Sequence, residues 1–153
     1  MTEGISFEIG SLKDLQEMRK TQRLLGAEKG FGMYLPTETR VIQPRSRFLI
    51  MVSGSKIVGF GTLRQMQDNI CEIEKIGVLK EFRRDEAGKT LLRKLENFAY
   101  HEFGSTKFVL SPSSLKRKQG KMKPAERVRE RWFRAQGYAS KNNERRMTKI
   151  RRR

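Results

Sequence analysis

Two glutamates, Glu72 and Glu74, stand two positions apart within the apolar segment 70–79. Side chains alternate across a β-strand, so two residues with this spacing share one face of a sheet. Neighbouring carboxylates near a cleft can separate their pKa values, which leaves one of them able to act as a general base near neutral pH. The same spacing is also typical of the solvent-facing side of an antiparallel strand, and the residues alone leave both interpretations open.

A second set of chemically capable residues lies just downstream, between residues 82 and 90. Arg83, Arg84 and Lys89 provide positive charge, and Gly88 allows a ligand to approach the backbone. A strand that ends in a short loop before a helix also exposes unpaired amide N–H groups and the positive end of the helix dipole. Such a turn is typical of a diphosphate-binding site, although an ordinary strand-to-helix turn has the same outline.

The formal net charge of +17 is concentrated in the last part of the chain. Residues 1–110 contain 18 basic and 14 acidic residues, whereas residues 111–153 contain 16 basic and 3 acidic ones. Such a segment attracts polyanions, of which RNA, DNA and nucleoprotein particles are the commonest. The alternative is a solvated segment that only increases solubility. The basic residues expected to contact nucleic acid are Lys116, Arg117, Lys118, Lys121, Lys123, Arg127, Arg131 and Arg134.

The remaining reactive side chains are few. The one cysteine, Cys71, excludes an internal disulfide and a cysteine-rich zinc site, and we expect no bound metal. We expect Cys71 to lie in the core and His101 at the surface, with neither in catalysis. No apolar run approaches the roughly 20 residues that span a membrane, and no leader peptide is visible. We therefore expect a soluble, cytoplasmic protein without a membrane partner.

The length of 153 residues suits one domain over residues 1–150, with a basic loop at 111–123 and a basic tail at 151–153. Alternating or continuous apolar runs predict strands, over residues 5–9, 47–52, 57–66, 70–79, 106–110 and 145–150. Apolar residues at three- and four-residue steps predict helices, over residues 11–25, 91–103 and 124–137, with a short one near 37–41. Gly59 and Gly61 fall inside a predicted strand, which indicates a bulge or a close neighbour.

The order of these elements and one motif resemble the GNAT family of N-acetyltransferases. Residues 76–90, IGVLKEFRRDEAGKT, are similar to the family pattern V-x-P-x-[YF]-R-x-x-G-x-G, with Val78, Phe82, Arg83 and Gly88 at matching positions. Glu86 stands where the pattern has its first glycine. A second segment, WFRAQGY at 132–138, looks like the family's Y-x-x-x-G-F, with Phe133 in place of the first tyrosine. The resemblance covers roughly residues 47–150.

The resemblance implies an α/β (α+β) fold with a mixed, mostly antiparallel central sheet flanked by helices and one parallel, splayed strand pair. It also implies acetyl-CoA as the cofactor, with its pantetheine arm along the fourth strand. The implied cofactor-binding residues are Ile76, Gly77, Val78, Arg83, Arg84, Ala87, Gly88, Lys89 and Thr90. Histone-acetylating members carry a glutamate six residues before the motif valine, which here implies Glu72 as the catalytic base, with Glu74 as the second candidate.

These observations predict an acyl-CoA-dependent N-acetyltransferase that transfers an acetyl group from acetyl-CoA to an amine. Its basic surface would serve an anionic or nucleic-acid-associated acceptor. The alternative is a catalytically weak or inactive GNAT-fold protein that binds RNA, DNA or a nucleoprotein particle through its basic C-terminal third. A third interpretation is a small-amine acetyltransferase whose basic surface has no role.

Overall fold

The computed structural model describes residues 4–11, 14, 17, 45–83, 86–110, 124–140 and 147–151, and for Lys75 and residues 124–129 the backbone alone. The predicted helix near 37–41, most of the predicted helix 11–25, the basic loop 111–123, Arg84 and residues 152–153 lie outside this range. At the predicted start of the first helix, the Ser11 amide and hydroxyl both donate to Asp14 Oδ2, at 2.8 and 3.0 Å. This is the contact expected of a residue that caps a helix.

The described residues form six strands and two longer helices. The strands are β1 (Ile5–Ile9), β2 (Ser46–Ser53), β3 (Lys56–Gln65), β4 (Ile70–Val78), β5 (Lys107–Leu110) and β6 (Thr148–Ile150). The helices are α1 (Ala87–Phe103) and α2 (Pro124–Ala135), and a 3₁₀ turn at Lys80–Phe82 follows β4. Gly104 ends α1 in the left-handed conformation at φ 70°, which glycine adopts without steric cost.

The six strands form one sheet in the order β1-β2-β3-β4-β5-β6. Strands β1 to β4 pair antiparallel with their neighbours, as β5 does with β6. Within the described residues, β4 and β5 are the parallel pair, because α1 carries the chain from one end of the sheet back to the other. This mixed, mostly antiparallel sheet confirms the predicted fold class.

Helix α1 packs on β3 and buries the predicted apolar face, including Leu91, Leu92 and Leu95. The two glycines of β3 are required by close neighbours. A Cβ atom at Gly61 would overlap the Leu95 side chain, and one at Gly59 would lie 2.9 Å from the Gly77 carbonyl oxygen. Gly61 therefore allows α1 to pack closely on β3, and Gly59 allows a close approach of the Gly77 carbonyl oxygen in β4.

A buried polar contact joins α1 to the C-terminal elements. The Tyr138 hydroxyl donates a hydrogen bond to Glu96 Oε2 at 2.7 Å, and Lys149 Nζ donates to Glu96 Oε1 at 3.0 Å. Burial raises the pKa of Tyr138 well above its usual value, and the Glu96 carboxylate raises it further. Tyr138 therefore keeps its proton and fixes the segment after α2 against α1.

No helix in the described part of the chain is both long and apolar enough to cross a membrane.

Candidate active site

Strand β4 pairs with β3 along most of its length and, within the described residues, with β5 along its first half. Its parallel pairing with β5 runs from Ile70 opposite Lys107 to Ile73 opposite Leu110. Its antiparallel pairing with β3 continues to Val78. Among the described residues, the backbone of 74–78 has no strand partner on the side of β5, and the chain directly after Leu110 lies outside the described range.

A β-bulge interrupts β4 at Glu74. Thr62 of β3 lies opposite Lys75, but the next residue, Leu63, lies opposite Ile73. Glu74 is thus the extra residue of β4. A bulge changes the direction of nearby side chains, so it sets the position of the Glu74 carboxylate.

The structure brings Glu72 and Glu74 together at a single arginine. Arg64 Nη2 lies 3.6 Å from Glu72 Oε1, and Arg64 Nε lies 3.4 Å from Glu74 Oε1. Both glutamates are buried, with 8% and 6% of their surface exposed. The solvent-facing interpretation of this pair is therefore wrong, because two carboxylates are buried here beside one positive charge.

Sequence reasoning did not find Arg64. It lies directly opposite Glu72 in the β3–β4 register, and cross-strand partners of opposite charge attract each other. The sequence did offer one signal, because Arg64 is a charged residue near the end of the otherwise apolar strand β3. Its contact with Glu74 depends on the bulge in β4, which the local sequence does not reveal.

An open cleft of about 540 Å³ adjoins this cluster at the β3–β4 turn. Arg64 belongs to its wall as well as to the carboxylate cluster, and therefore connects the two. The lining residues are Arg45, Arg64, Gln65, Met66, Gln67, Asp68 and Ile70.

The turn after β4 is held by backbone contacts. The Leu79 amide donates to the Val58 carbonyl oxygen at 2.8 Å, and the Arg83 guanidinium donates through Nε to the Val78 carbonyl oxygen at 2.8 Å. Arg83 therefore braces the end of β4 while its positive charge stays beside the turn. Arg84, the other predicted arginine of this turn, lies outside the described residues.

Helix α1 begins with amides that have no acceptor inside the helix. The Thr90 amide is bonded to the Glu86 carbonyl oxygen at 2.9 Å, whereas helix geometry leaves those of Ala87, Gly88 and Lys89 without an intrahelical acceptor. These N–H groups and the helix dipole favour an anion at this end. The predicted diphosphate position is thus at the start of a helix of 17 residues.

Glu86 adopts the left-handed conformation, with φ 61° and ψ 27°. This conformation explains why the family pattern has glycine at the position, since a side chain there is strained. The Glu86 side chain is 74% exposed, and its carboxylate lies 3.7 Å from Lys89 Nζ. The carboxylate is therefore on the outside of the turn, where it partly neutralises Lys89.

Trp132 of α2 lies against Gly88 of α1. A Cβ atom at Gly88 would lie 3.3 Å from Cζ2 of Trp132, so the glycine allows the indole ring to sit against the first turn of α1. Trp132 is half-buried and packs edge-to-face on Phe133, with ring centroids 5.0 Å apart. The sequence analysis did not connect Trp132 with this turn.

The other predicted site residues are distributed as follows. Ile76, Gly77 and Val78 lie in the second half of β4, where they pair with β3 and, among the described residues, have no partner on the β5 side. Arg131 and Arg134 are exposed on α2, and Arg134 is paired with Glu130 at 2.7 Å. Arg127 lies in α2 with only its backbone described. The five predicted residues of the basic loop, Lys116, Arg117, Lys118, Lys121 and Lys123, lie outside the described residues.

Two side chains that the sequence analysis did not expect to act in catalysis also have defined surroundings. Burial raises the pKa of the Cys71 thiol to about 12, so the thiol stays protonated at neutral pH. His101 is exposed and contacts the Tyr100 ring edge-to-face at 5.2 Å. Within the described ranges, no three His, Cys, Asp or Glu side chains come together in a way that would hold a metal ion.

Comparison with known families now adds to this geometry. The model of the GNAT acetyltransferase family matches residues 12–116, more than half of the chain. The chain belongs to the GNAT family. The match includes β2 to β5 and α1, and thus the carboxylate pair and the turn between β4 and α1. A comparison with curated protein sequences gives no match.

Solved GNAT structures share the fold at low sequence identity. The PaiA N-acetyltransferase from Thermoplasma acidophilum, crystallised with coenzyme A, is 18% identical, with a TM-score of 0.73 over 96% of this chain and 99% of that one. A GNAT acetyltransferase from Staphylococcus aureus is 15% identical, with a TM-score of 0.68 over 95% and 98%. N-acetylglutamate synthase from Neisseria gonorrhoeae, in complex with coenzyme A and N-acetyl-glutamate, is 15% identical, with a TM-score of 0.69 over 97% of this chain and 35% of that one.

The conformation of Glu86 leads to a test of stability. Glu86→Gly should raise the free energy of unfolding by up to about 1 kcal/mol, because glycine removes the strain of the left-handed backbone. Glu86→Gln keeps the Cβ atom and removes only the charge, so it should give no such gain. Urea unfolding of the three proteins measures the difference, and equal gains from both substitutions would contradict a backbone origin.

Proposed function

We propose that this GNAT protein transfers the acetyl group of acetyl-CoA to an amine. The observation that carries the proposal is the pair of buried carboxylates, Glu72 and Glu74, held by Arg64 on the strand that leads to the N-terminus of α1. One half of β4 can hold an extended cofactor arm, and the other half carries groups that can accept a proton. The coenzyme A complexes of two structural neighbours support the choice of cofactor.

The residues of the second half of β4 and of the first turn of α1 fit such a cofactor. The backbone of Ile76, Gly77 and Val78 presents N–H and C=O groups that complement the amides of a pantetheine arm. The first amides of α1, from Ala87 to Lys89, face the position expected for the diphosphate, with Thr90 completing this first turn. The charges of Arg83, Arg84 and Lys89 are expected to add ionic attraction. Acetyl-CoA would supply the acetyl group as a thioester.

Glu72 is the proposed base, with Glu74 as its alternative or partner. A carboxylate accepts the proton of the attacking ammonium, directly or through water, and the amine nitrogen then forms the new bond to the acetyl carbon. Arg64, at 3.4 and 3.6 Å, holds both carboxylates near the bulge. Phe133 has no proton to donate, so the departing thiolate would take its proton from water.

The acceptor is proposed to be an amine on an anionic or nucleic-acid-associated molecule. The support is the excess of basic residues after residue 110, together with the exposed Arg131 on α2. The second candidate is a binding protein that keeps the GNAT scaffold but has weak or no catalysis. The strained Glu86 and the missing tyrosine at Phe133 favour this second candidate.

Trp132 provides a direct test of cofactor binding. It is the chain's one tryptophan and lies against Gly88, so acetyl-CoA at the α1 N-terminus should change its fluorescence. Lys89→Ala should weaken acetyl-CoA binding about ten- to a hundredfold, because a charge-assisted phosphate contact contributes roughly 1.5–3 kcal/mol. Lys107→Ala, at the far end of the β4–β5 pair, is the matched control and should bind as the wild type does. If the wild-type protein does not bind acetyl-CoA at millimolar concentration, the proposed acetyltransferase activity is wrong.

The role of Glu72 is tested by acetyl transfer to a panel of primary amines, followed as thiol release from acetyl-CoA. Glu72→Gln should lower kcat by about 10²–10⁴-fold, the usual contribution of a general base. Its acetyl-CoA affinity, measured by Trp132 fluorescence, should remain that of the wild type. The exposed Glu102→Gln is the control. If Glu72→Gln retains full activity, the same measurement on Glu74→Gln decides whether either carboxylate is the base.

The salt dependence of oligonucleotide affinity tests the proposed binding of nucleic acid. If phosphate contacts dominate, the logarithm of the affinity for an RNA or DNA oligonucleotide should fall linearly with the logarithm of salt concentration. Arg131→Ala should reduce that slope by about one, while the exposed Arg93→Ala on α1 should leave it unchanged. A flat response to salt would contradict phosphate docking.

A further inference from the structure

The open cleft lies at the opposite end of β4 from the turn that leads into α1. Strand β2 pairs antiparallel with β3, so it begins where β3 ends. Strand β5 pairs parallel with β4, so these two strands begin at the same end of the sheet. The start of β2, the end of β3 and the starts of β4 and β5 therefore lie side by side around the cleft.

Two exposed cations, Arg45 and Lys107, flank this cleft. Arg45 lines it on the side of β2, where its carbonyl oxygen accepts a hydrogen bond from the Gln65 amide at 2.7 Å. Lys107 lies on the side of β5, directly opposite the lining residue Ile70. Within the described ranges, neither cation forms an ion pair with a carboxylate. Arg64 is already paired with the two glutamates of β4, so Arg45 and Lys107 are the charges available to an anion.

The spacing of the two cations fits a chain of negative charges. Strands β2 and β5 are three strand spacings apart in the sheet, which at about 4.8 Å per spacing gives roughly 14 Å. Successive phosphates of one nucleic-acid strand extend over such a distance, whereas a small anion contacts one point. Phosphate contacts of this kind hold a strand in position without reading its sequence.

The lining of the cleft between the cations suits a nucleobase. The cleft has a volume of about 540 Å³, with half-buried apolar surface at Met66 and Ile70 and exposed polar groups at Gln67 and Asp68. An amide side chain can pair with the edge of adenine, and a carboxylate accepts a hydrogen bond from the amino group of cytosine. A base offers these edges to a cleft only when it is unpaired and unstacked, as in a single strand.

We propose that Arg45 and Lys107 bind phosphates of a single-stranded nucleic acid and that the cleft between them holds one of its unpaired bases. This inference rests on the nucleic-acid part of the proposed function and adds a contact site to the residues after 110. Arg151 also lies at this end of the sheet, because its amide donates to the Thr106 carbonyl oxygen at 2.7 Å, and two further arginines follow it in the sequence. Since Arg64 both lines the cleft and holds the carboxylate pair, a strand bound here lies beside the proposed base.

The phosphate contacts are tested with a labelled, single-stranded DNA oligonucleotide of mixed sequence, whose affinity is measured by fluorescence anisotropy over a range of salt concentrations. In a plot of the logarithm of affinity against that of salt concentration, Arg45→Gln/Lys107→Gln should reduce the slope by about 1.4. Each phosphate contact with a single strand contributes roughly 0.7 to this slope. Both positions are exposed, so the double variant should keep the unfolding temperature of the wild type.

A matched control removes the same amount of charge elsewhere. Lys56→Gln/Arg93→Gln changes two exposed cations, one at the β2–β3 turn at the other end of the sheet and one on α1. It should leave the slope unchanged. The proposal is overturned if the wild type does not bind the strand, if Arg45→Gln/Lys107→Gln keeps the wild-type slope, or if the two double variants lose slope equally.

The complementary strand tests the role of the cleft. In the duplex the bases are paired and stacked, so Arg45→Gln/Lys107→Gln should weaken binding of the single strand but leave binding of the duplex at the wild-type level. If the substitutions weaken duplex binding as much as single-strand binding, the cleft does not hold an unpaired base and the proposal is wrong.

Two further measurements separate this inference from the proposed function. Acetyl-CoA binding, reported by Trp132 fluorescence, should be the same in Arg45→Gln/Lys107→Gln as in the wild type, because the cleft and the N-terminus of α1 lie at opposite ends of β4. A protein that binds the single strand through Arg45 and Lys107 but does not bind acetyl-CoA would refute the proposed acetyl transfer alone. A loss of slope in Arg131→Ala but not in Arg45→Gln/Lys107→Gln would refute the cleft site alone.

Discussion

The pairing of Glu72 and Glu74 with Arg64 is the interaction on which the candidate site depends. Arg64 lies opposite Glu72 in the register of β3 and β4, with 3.6 Å between Nη2 and Oε1, and its Nε lies 3.4 Å from Glu74 Oε1. Both carboxylates are buried, and a buried charge is costly unless an opposite charge lies beside it. The bulge at Glu74 places the second carboxylate at the same arginine, because it takes Glu74 out of the regular register with β3.

Features determined by local sequence were predicted well. The apolar period of α1 predicted a helix that ends at residue 103, as observed, since the signal is contained in a few adjacent turns. The strands β2, β3 and β4 were predicted from their apolar runs, within one or two residues of their observed ends. The parallel pairing of β4 with β5 agrees with the one parallel pair that the family resemblance implied. Prediction was weaker at the last strand, which begins at Thr148 rather than at residue 145.

Features that depend on register or on packing between distant elements were not predicted. The bulge at Glu74 becomes visible only when β3 and β4 are aligned, and it decides that Arg64 meets both glutamates. The contact of Trp132 with Gly88 joins residues 44 positions apart through the packing of α2 on α1. Glu86 differed from the family pattern in sequence, but its positive φ showed that the difference strains the backbone and leaves the carboxylate on the outside of the turn.

Strand β6 lies between β5 and Ala139, which pairs with Thr148 on its other side. Ala139 precedes β6 in the chain, so the short strand is held between β5 and a residue that comes before it. From the same strand, Lys149 reaches α1 and supplies the cation that faces the buried Glu96 carboxylate. These three residues are thus an integral part of the domain, because they cover one side of β5 and balance a buried charge on α1.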